Sequence, residues 1–217
     1  MKALNDLHLV LIAALIQILK SIIHDSNATW LLLNGHYYQS YKYFHEFRNE
    51  IRAIFEFGPK VMTAINKYAS DIFGNDKSHK FCVHIRRDDF LQHRNLESRT
   101  YFVVPAVLRV FKFLQRESGV HNVSAVFIGA KPDFWDALNV TQNFSPHFDT
   151  VYNARLSSRG EDMAFGATYC DSFLISASGS TFGWWMAYLG NTAMPVFYNG
   201  QAFPNGSRTW HCLTYRA

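Results

Sequence analysis

The chain has 217 residues, 48% of them hydrophobic and 16% aromatic, which allows one large domain or two small ones with ample core and excludes a disordered protein. Its formal net charge is +4, yet its Lys and Arg residues form no block and no helical stripe. Nucleic acid is therefore a poor partner, whereas a localised anionic ligand fits.

In chain order, Leu7 to Ile23 is the one membrane candidate. Uninterrupted apolarity lasts only from Leu9 to Ile16 before Gln17 and Lys20 break it, short of the roughly 20 residues a membrane span needs. The run reads as a buried amphipathic helix, with a signal anchor or a cleaved signal as the other readings. Asp25-Ser-Asn27 is a turn, Trp30 to Leu33 a short buried strand, and Asn34-Gly35 its break. Tyr43, Phe44, Phe47, Ile51, Ile54 and Phe55 recur at intervals of three and four, the pattern of an amphipathic helix. Pro59 suits the first turn of a further helix reaching about Tyr68. The polar break at Gly74-Asn75-Asp76 marks an expected boundary, with a mainly helical segment over 1–78 and a second domain over 79–217.

From there strands and helices alternate. Strands are expected at Phe81 to Ile85, Ser124 to Ile128, Thr150 to Tyr152, Ser172 to Ser176 and Met194 to Tyr198. Helices are expected at Val104 to Gln115, from about Pro132, at Gly160 to Tyr169 and at Thr181 to Leu189. That alternation predicts an α/β fold with a parallel, doubly wound sheet, and right-handed crossovers put every strand-to-helix loop on one edge.

Three of those loops carry chemistry. His84-Ile-Arg86-Arg87-Asp88-Asp89-Phe90 holds five ionisable groups just past a strand, where ligands of open α/β sheets bind. Two guanidinium forks suit a phosphate, although a solvated loop of Arg–Asp pairs is the plainer alternative. Arg159-Gly-Glu161-Asp162 opens a helix, where the two carboxylates complement the macrodipole and can act as caps. Ser176-Ala-Ser178-Gly-Ser180-Thr181 opens another, with hydroxyls and free N–H groups that cradle phosphate or serve as an N-cap. Trp184 and Trp185, just beyond it, read as core residues.

Cys82, Cys170 and Cys212 lie far apart without metal-ligand spacing, and no pairing can be read from them. Asn27, Asn122, Asn139, Asn143 and Asn205 each open an Asn-X-Ser/Thr motif, a pull toward the secretory pathway.

His84-Ile-Arg86-Arg87-Asp88-Asp89-Phe90 resembles the HxRRxD[YF] motif of fucosyltransferases that use GDP-fucose. The run from Glu161 to Leu189 and the segment Gly35 to Phe44 resemble the α-1,2-fucosyltransferase family, glycosyltransferase family 11, in its nematode-like branch. The resemblance implies a GT-B-like arrangement of Rossmann-type halves, with a reduced N-terminal part here. It implies an inverting, metal-independent transfer of L-fucose from GDP-fucose to the 2-hydroxyl of a galactose-containing glycan, with no other cofactor. It further implies a Golgi-lumenal, membrane-associated protein of type II topology. Carried onto this chain, Arg86 is the catalytic diphosphate clamp with Arg87 helping it or fixing the loop, and His84 and Asp89 shape the loop and contact the nucleotide side. Glu161 and Asp162 lie by the guanosine or donor sugar, and Ser178, Ser180 and Thr181 hold phosphate oxygens. Two departures stand out: Asp88 occupies a position where the family commonly has Gly, and the family's Gly-rich opening has no counterpart around Leu4 to Leu7. They favour the alternative, a catalytically silent relative that binds a nucleotide sugar or glycan.

Overall fold

A computed structural model describes residues 45–92, 97–198 and 212–213. The expected helix at Leu7 to Ile23, the strand at Trp30 to Leu33 and the segment Gly35 to Phe44 lie outside the described residues. The chain parts into two compact units, 1–56 and 57–217. In the first, a 3-10 turn at His45–Phe47 leads into helix α1 (Arg48–Ile54). Phe47, Ile54 and Phe55 on this short amphipathic stretch are exposed.

The second unit is built on one sheet. Its helix α2 (Pro59–Phe73) starts on a proline at its first turn and runs one turn past the expected Tyr68. Strand β1 (His79–His84) follows, then a 3-10 turn (Asp88–Gln92) and helix α3 (Thr100–Glu117). Next come β2 (Val123–Ile128), the short helices α4 (Pro132–Ala137) and α5 (Val140–Asn143), and β3 (Val151–Ala154). Helix α6 (Arg159–Tyr169), β4 (Ser172–Ile175), α7 (Thr181–Leu189) and β5 (Val196–Tyr198) complete the alternation. A two-residue β6 (Cys212–Leu213) pairs antiparallel with β5, too short to leave a period in the sequence.

The strand order is β3-β2-β1-β4-β5-β6, and β1 to β5 are parallel. The central strands are buried on both faces, as continuous apolar runs require. Alternate residues sort onto two cores. Phe81, Val83 and Ile85 pack with Val103, Val107 and Leu114 of α3, while Cys82, Val126 and Phe173 pack with Ile65 of α2, Phe165 of α6 and Met186 of α7. The expected parallel, doubly wound α/β architecture with helices on both faces is what the chain adopts.

Two fastenings hold this unit. A disulfide joins Cys82 in β1 to Cys170 beyond α6, with their Cα atoms 5.6 Å apart, a pairing that spacing alone could not disclose. At the amino edge of the sheet, Asp76 accepts from the Ser78 N–H (2.8 Å), the Ser124 hydroxyl (2.9 Å) and the Tyr152 hydroxyl (2.8 Å), and lies 3.3 Å from the Lys80 ammonium. One carboxylate thus ties together the starts of β1, β2 and β3.

The order reverses at β1: the chain moves outward through β2 and β3, then returns to place β4 on the other side. The carboxyl ends of β1 and β4 flank that switch point, where open α/β sheets bind ligands.

Candidate active site

A cleft of about 550 Å³ opens at this carboxyl edge. β1 delivers His84, Arg86 and Arg87 to it, the turn after β2 delivers Lys131 and Asp133, and the end of β3 delivers Arg155. Arg159 and Asp162 of α6 and Phe182 of α7 complete its charged and aromatic wall. Five cationic side chains therefore face two carboxylates, a balance that suits a ligand with more than one negative charge. The turn after β2 needs its glycine: Gly129 has φ +84°, and a Cβ there would lie 2.6 Å from the carbonyl oxygen of Ile85.

The side chain of Arg86 is mostly buried, and its Nη2 lies 2.9 Å from both carboxylate oxygens of Asp89. The guanidinium sits 5.5 Å from the Phe90 ring centroid, and its buried Nε has no hydrogen-bond partner. Asp89 does not line the cleft; its role is to hold Arg86, whose hydrogen bond keeps the carboxyl below its usual range. Arg87 turns the other way. Its Nη1 donates to the carbonyl of Ser98 at 3.3 Å, and its guanidinium lies 5.0 Å from the Phe134 ring centroid. Asp88 opens the 3-10 turn that follows both arginines.

His84 is buried, and burial together with the neighbouring Arg86 depresses its pKa to about 4. The imidazole is neutral at physiological pH, with Nδ1 unpartnered beside Gly183. The pair Glu161-Asp162 divides in two. Glu161 is a cap: its N–H donates to Ser158 Oγ at 3.2 Å and its carboxylate accepts from the Ser157 N–H at 3.0 Å. Asp162, one residue on, lines the cleft, and burial followed by repulsion from Glu161 raises its pKa to about 6.

Of the serine-rich loop, Ser180 is buried and caps α7, its hydroxyl accepting from the Gly183 N–H at 3.3 Å. Ser178 is half-buried and Thr181 exposed, and it is Phe182 from this helix that reaches the cleft wall. Lys131, Asp133 and Arg155 line the cleft with no motif to mark them, and Arg159, the first residue of the Arg159-Gly-Glu161-Asp162 loop, lines it as well. Asn153 explains one of them: with its amide turned to satisfy both ends, its oxygen accepts from Arg155 Nε (3.2 Å) and Nη2 (3.1 Å) while its nitrogen donates to the Ala130 carbonyl (3.3 Å). Among the described residues no three His, Cys, Asp or Glu side chains gather as a metal site.

The family model named Glycosyl transferase family 11 matches residues 33–199, a span that takes in the whole cleft. The chain belongs to glycosyltransferase family 11. Two similar relatives of Caenorhabditis elegans are each named galactoside 2-alpha-L-fucosyltransferase. One is 27% identical over 184 residues, covering 82% of this chain and 48% of the relative. The other is 28% identical over 193 residues, covering 77% of this chain and 46% of the relative. This family 11 chain thus spans about half the length of the curated relatives it matches. No solved structure matches it. Within the family 11 frame, the HxRRxD-like stretch and the carboxyl edge of the sheet fall on one cleft.

Proposed function

We propose that this chain binds GDP-fucose in the β1–β4 cleft and transfers L-fucose, with inversion, to the 2-hydroxyl of a galactose-containing glycan. The single observation that carries this reading is the position of Arg86 and Arg87 at the switch point of a family 11 fold. As the glycosidic bond breaks, charge builds on the β-phosphate while the fucosyl carbon becomes oxocarbenium-like. Guanidinium groups already desolvated and held in place stabilise that leaving group without reorganisation. Arg86 meets the diphosphate with its unpartnered Nε–H, and Arg87 adds a second charge from the Phe134 side. Asp162, once ionised, accepts from the N1–H and amino group of guanine, and neutral His84 packs on the nucleoside side. The reading asks for no metal, since side-chain cations carry the charge, and activity should survive EDTA.

The same reading places the protein in the Golgi lumen. The buried Cys82–Cys170 disulfide fits an oxidising compartment, as do the Asn-X-Ser/Thr motifs. No helix among the described residues is long and apolar enough to cross a membrane, and Leu7 to Ile23 lies outside them. The deciding experiment pairs GDP titration with a transfer assay from GDP-fucose to a lactose-type acceptor. Binding with transfer supports the enzyme. Binding without transfer over a range of acceptors leaves a nucleotide-sugar-binding relative, and no GDP affinity removes the donor site.

A further inference from the structure

Two serines, Ser98 outside every motif noted in the sequence and Ser176 at the head of the serine-rich loop, grip the backbone of Arg86. Ser98, just before α3, donates its N–H to the Arg86 carbonyl at 2.8 Å, and its hydroxyl accepts from the Arg86 N–H at 2.8 Å. That hydroxyl lies 2.6 Å from the hydroxyl of Ser176, the residue after β4, and Ser176 Oγ donates to the His84 carbonyl at 2.6 Å. Both serines are fully buried.

The protons can be placed. Ser176 has one hydroxyl proton and spends it on His84, so the proton between the two serines belongs to Ser98. The chain runs one way, from Arg86 N–H through Ser98 O–H and Ser176 O–H to the carbonyl of His84, with every donor used. On its other side β1 is still in register, since the Ile85 N–H donates to the Ile128 carbonyl at 2.8 Å. On the β4 side the register ends at His84 opposite Ile175. There the two hydroxyls replace the missing ladder for one more residue, and that residue is Arg86.

We propose that Ser98 and Ser176 are positioning residues that aim Arg86 at the donor diphosphate; this rests on the reading of Arg86 as the phosphate clamp. A buried donor left without its acceptor drives the backbone to rearrange, and a clamp displaced by a fraction of an ångström loses its alignment.

The test uses the full oxidised chain, with hydrogen exchange at the Arg86 amide and GDP titration in the parent, Ser98→Ala, Arg86→Ala and the double variant. Ser98→Ala is expected to speed exchange at the Arg86 amide and to weaken GDP binding roughly tenfold. In the Arg86→Ala background the same change should cost no further affinity, because its effect passes through the guanidinium. A folded Ser98→Ala with unchanged GDP affinity overturns the proposal, as does an equal loss in both backgrounds, which is what general destabilisation would give. If the parent itself binds no GDP, the donor-site reading falls, and unchanged exchange at the Arg86 amide is then what overturns the positioning role. Should Ser98→Ala not fold, Ser176→Ala, which keeps the acceptor for Arg86 but frees its rotor, is read the same way with a smaller expected effect.

Discussion

The backbone of Gly183 lies against the imidazole of His84 so closely that a Cβ at residue 183 would sit 2.6 Å from Nδ1. One glycine in α7 therefore sets where a cleft residue of β1 can stand. Gly183→Ala should cost about 1–3 kcal/mol of stability by overpacking and turn the ring toward the cleft. Urea unfolding gives the first quantity. A loss of GDP affinity larger than that of an equally destabilised core variant would show the second.

Arg86 is held by Asp89 while its Nε faces no protein acceptor. Arg86→Lys keeps the charge and loses the fork, so GDP affinity should fall about tenfold; Arg86→Ala should lose about a hundredfold. Calorimetric titration with GDP measures both. Equal affinities for parent and Ala variant would remove Arg86 from the site.

Asp162 titrates near 6, above an unfolded value of 3.8, because burial and Glu161 disfavour its charge. The sign follows: the folded state holds the proton more tightly, so the ionised carboxylate destabilises the empty protein as pH rises from 3.8 through 6. Asp162→Asn should therefore raise the melting temperature at pH 8, by less at pH 5 and not at all at about pH 3, below both values, while weakening GDP binding at pH 8. His84 acts with the opposite sign over nearly the same window. Its folded value of about 4 lies below the usual 6.5, so the stability it contributes is complete above 6.5 and fades as pH falls toward 4.

Cys82–Cys170 closes a separation of 88 residues between β1 and the end of α6. Loop-closure entropy puts its contribution at about 4.6 kcal/mol, and the urea midpoint should drop accordingly with a reductant present. Cys82→Ala should show the same midpoint with and without reductant.

Asp76 gathers three strand starts around one carboxylate and neutralises buried Lys80. Burial raises its pKa, but the Ser78 N–H and the hydroxyls of Ser78, Tyr152 and Ser124 outweigh that and hold it well below the usual range. Asp76→Ala should cost about 3–5 kcal/mol by leaving the buried ammonium without its counter-charge and the hydroxyls of Ser124 and Tyr152 without their acceptor, without touching the cleft at the opposite edge. Chemical denaturation of the variant checks the size, and unchanged GDP affinity in the folded fraction checks the location.

Much of this protein is legible from residue order. Apolar runs of strand length alternating with helical periods dictate a parallel sheet with helices on both faces, because no other layering buries such strands twice. The density of charge after Phe81-Cys-Val marks the edge that carries the cleft for the same local reason, since ionisable groups directly past a buried strand emerge at its end. Position in space was decided elsewhere. Glu161 and Asp162 are neighbours in the chain, yet one turns back as a cap and the other faces the cleft, because consecutive helical residues point about 100° apart. Ser180 closes its own helix, while Ser98 and Ser176, 78 residues apart, meet beneath Arg86 only once β1 and β4 lie side by side. Lys131, Arg155 and the Cys82–Cys170 pair likewise depend on which strands become neighbours, a choice made by long-range packing that no local pattern records.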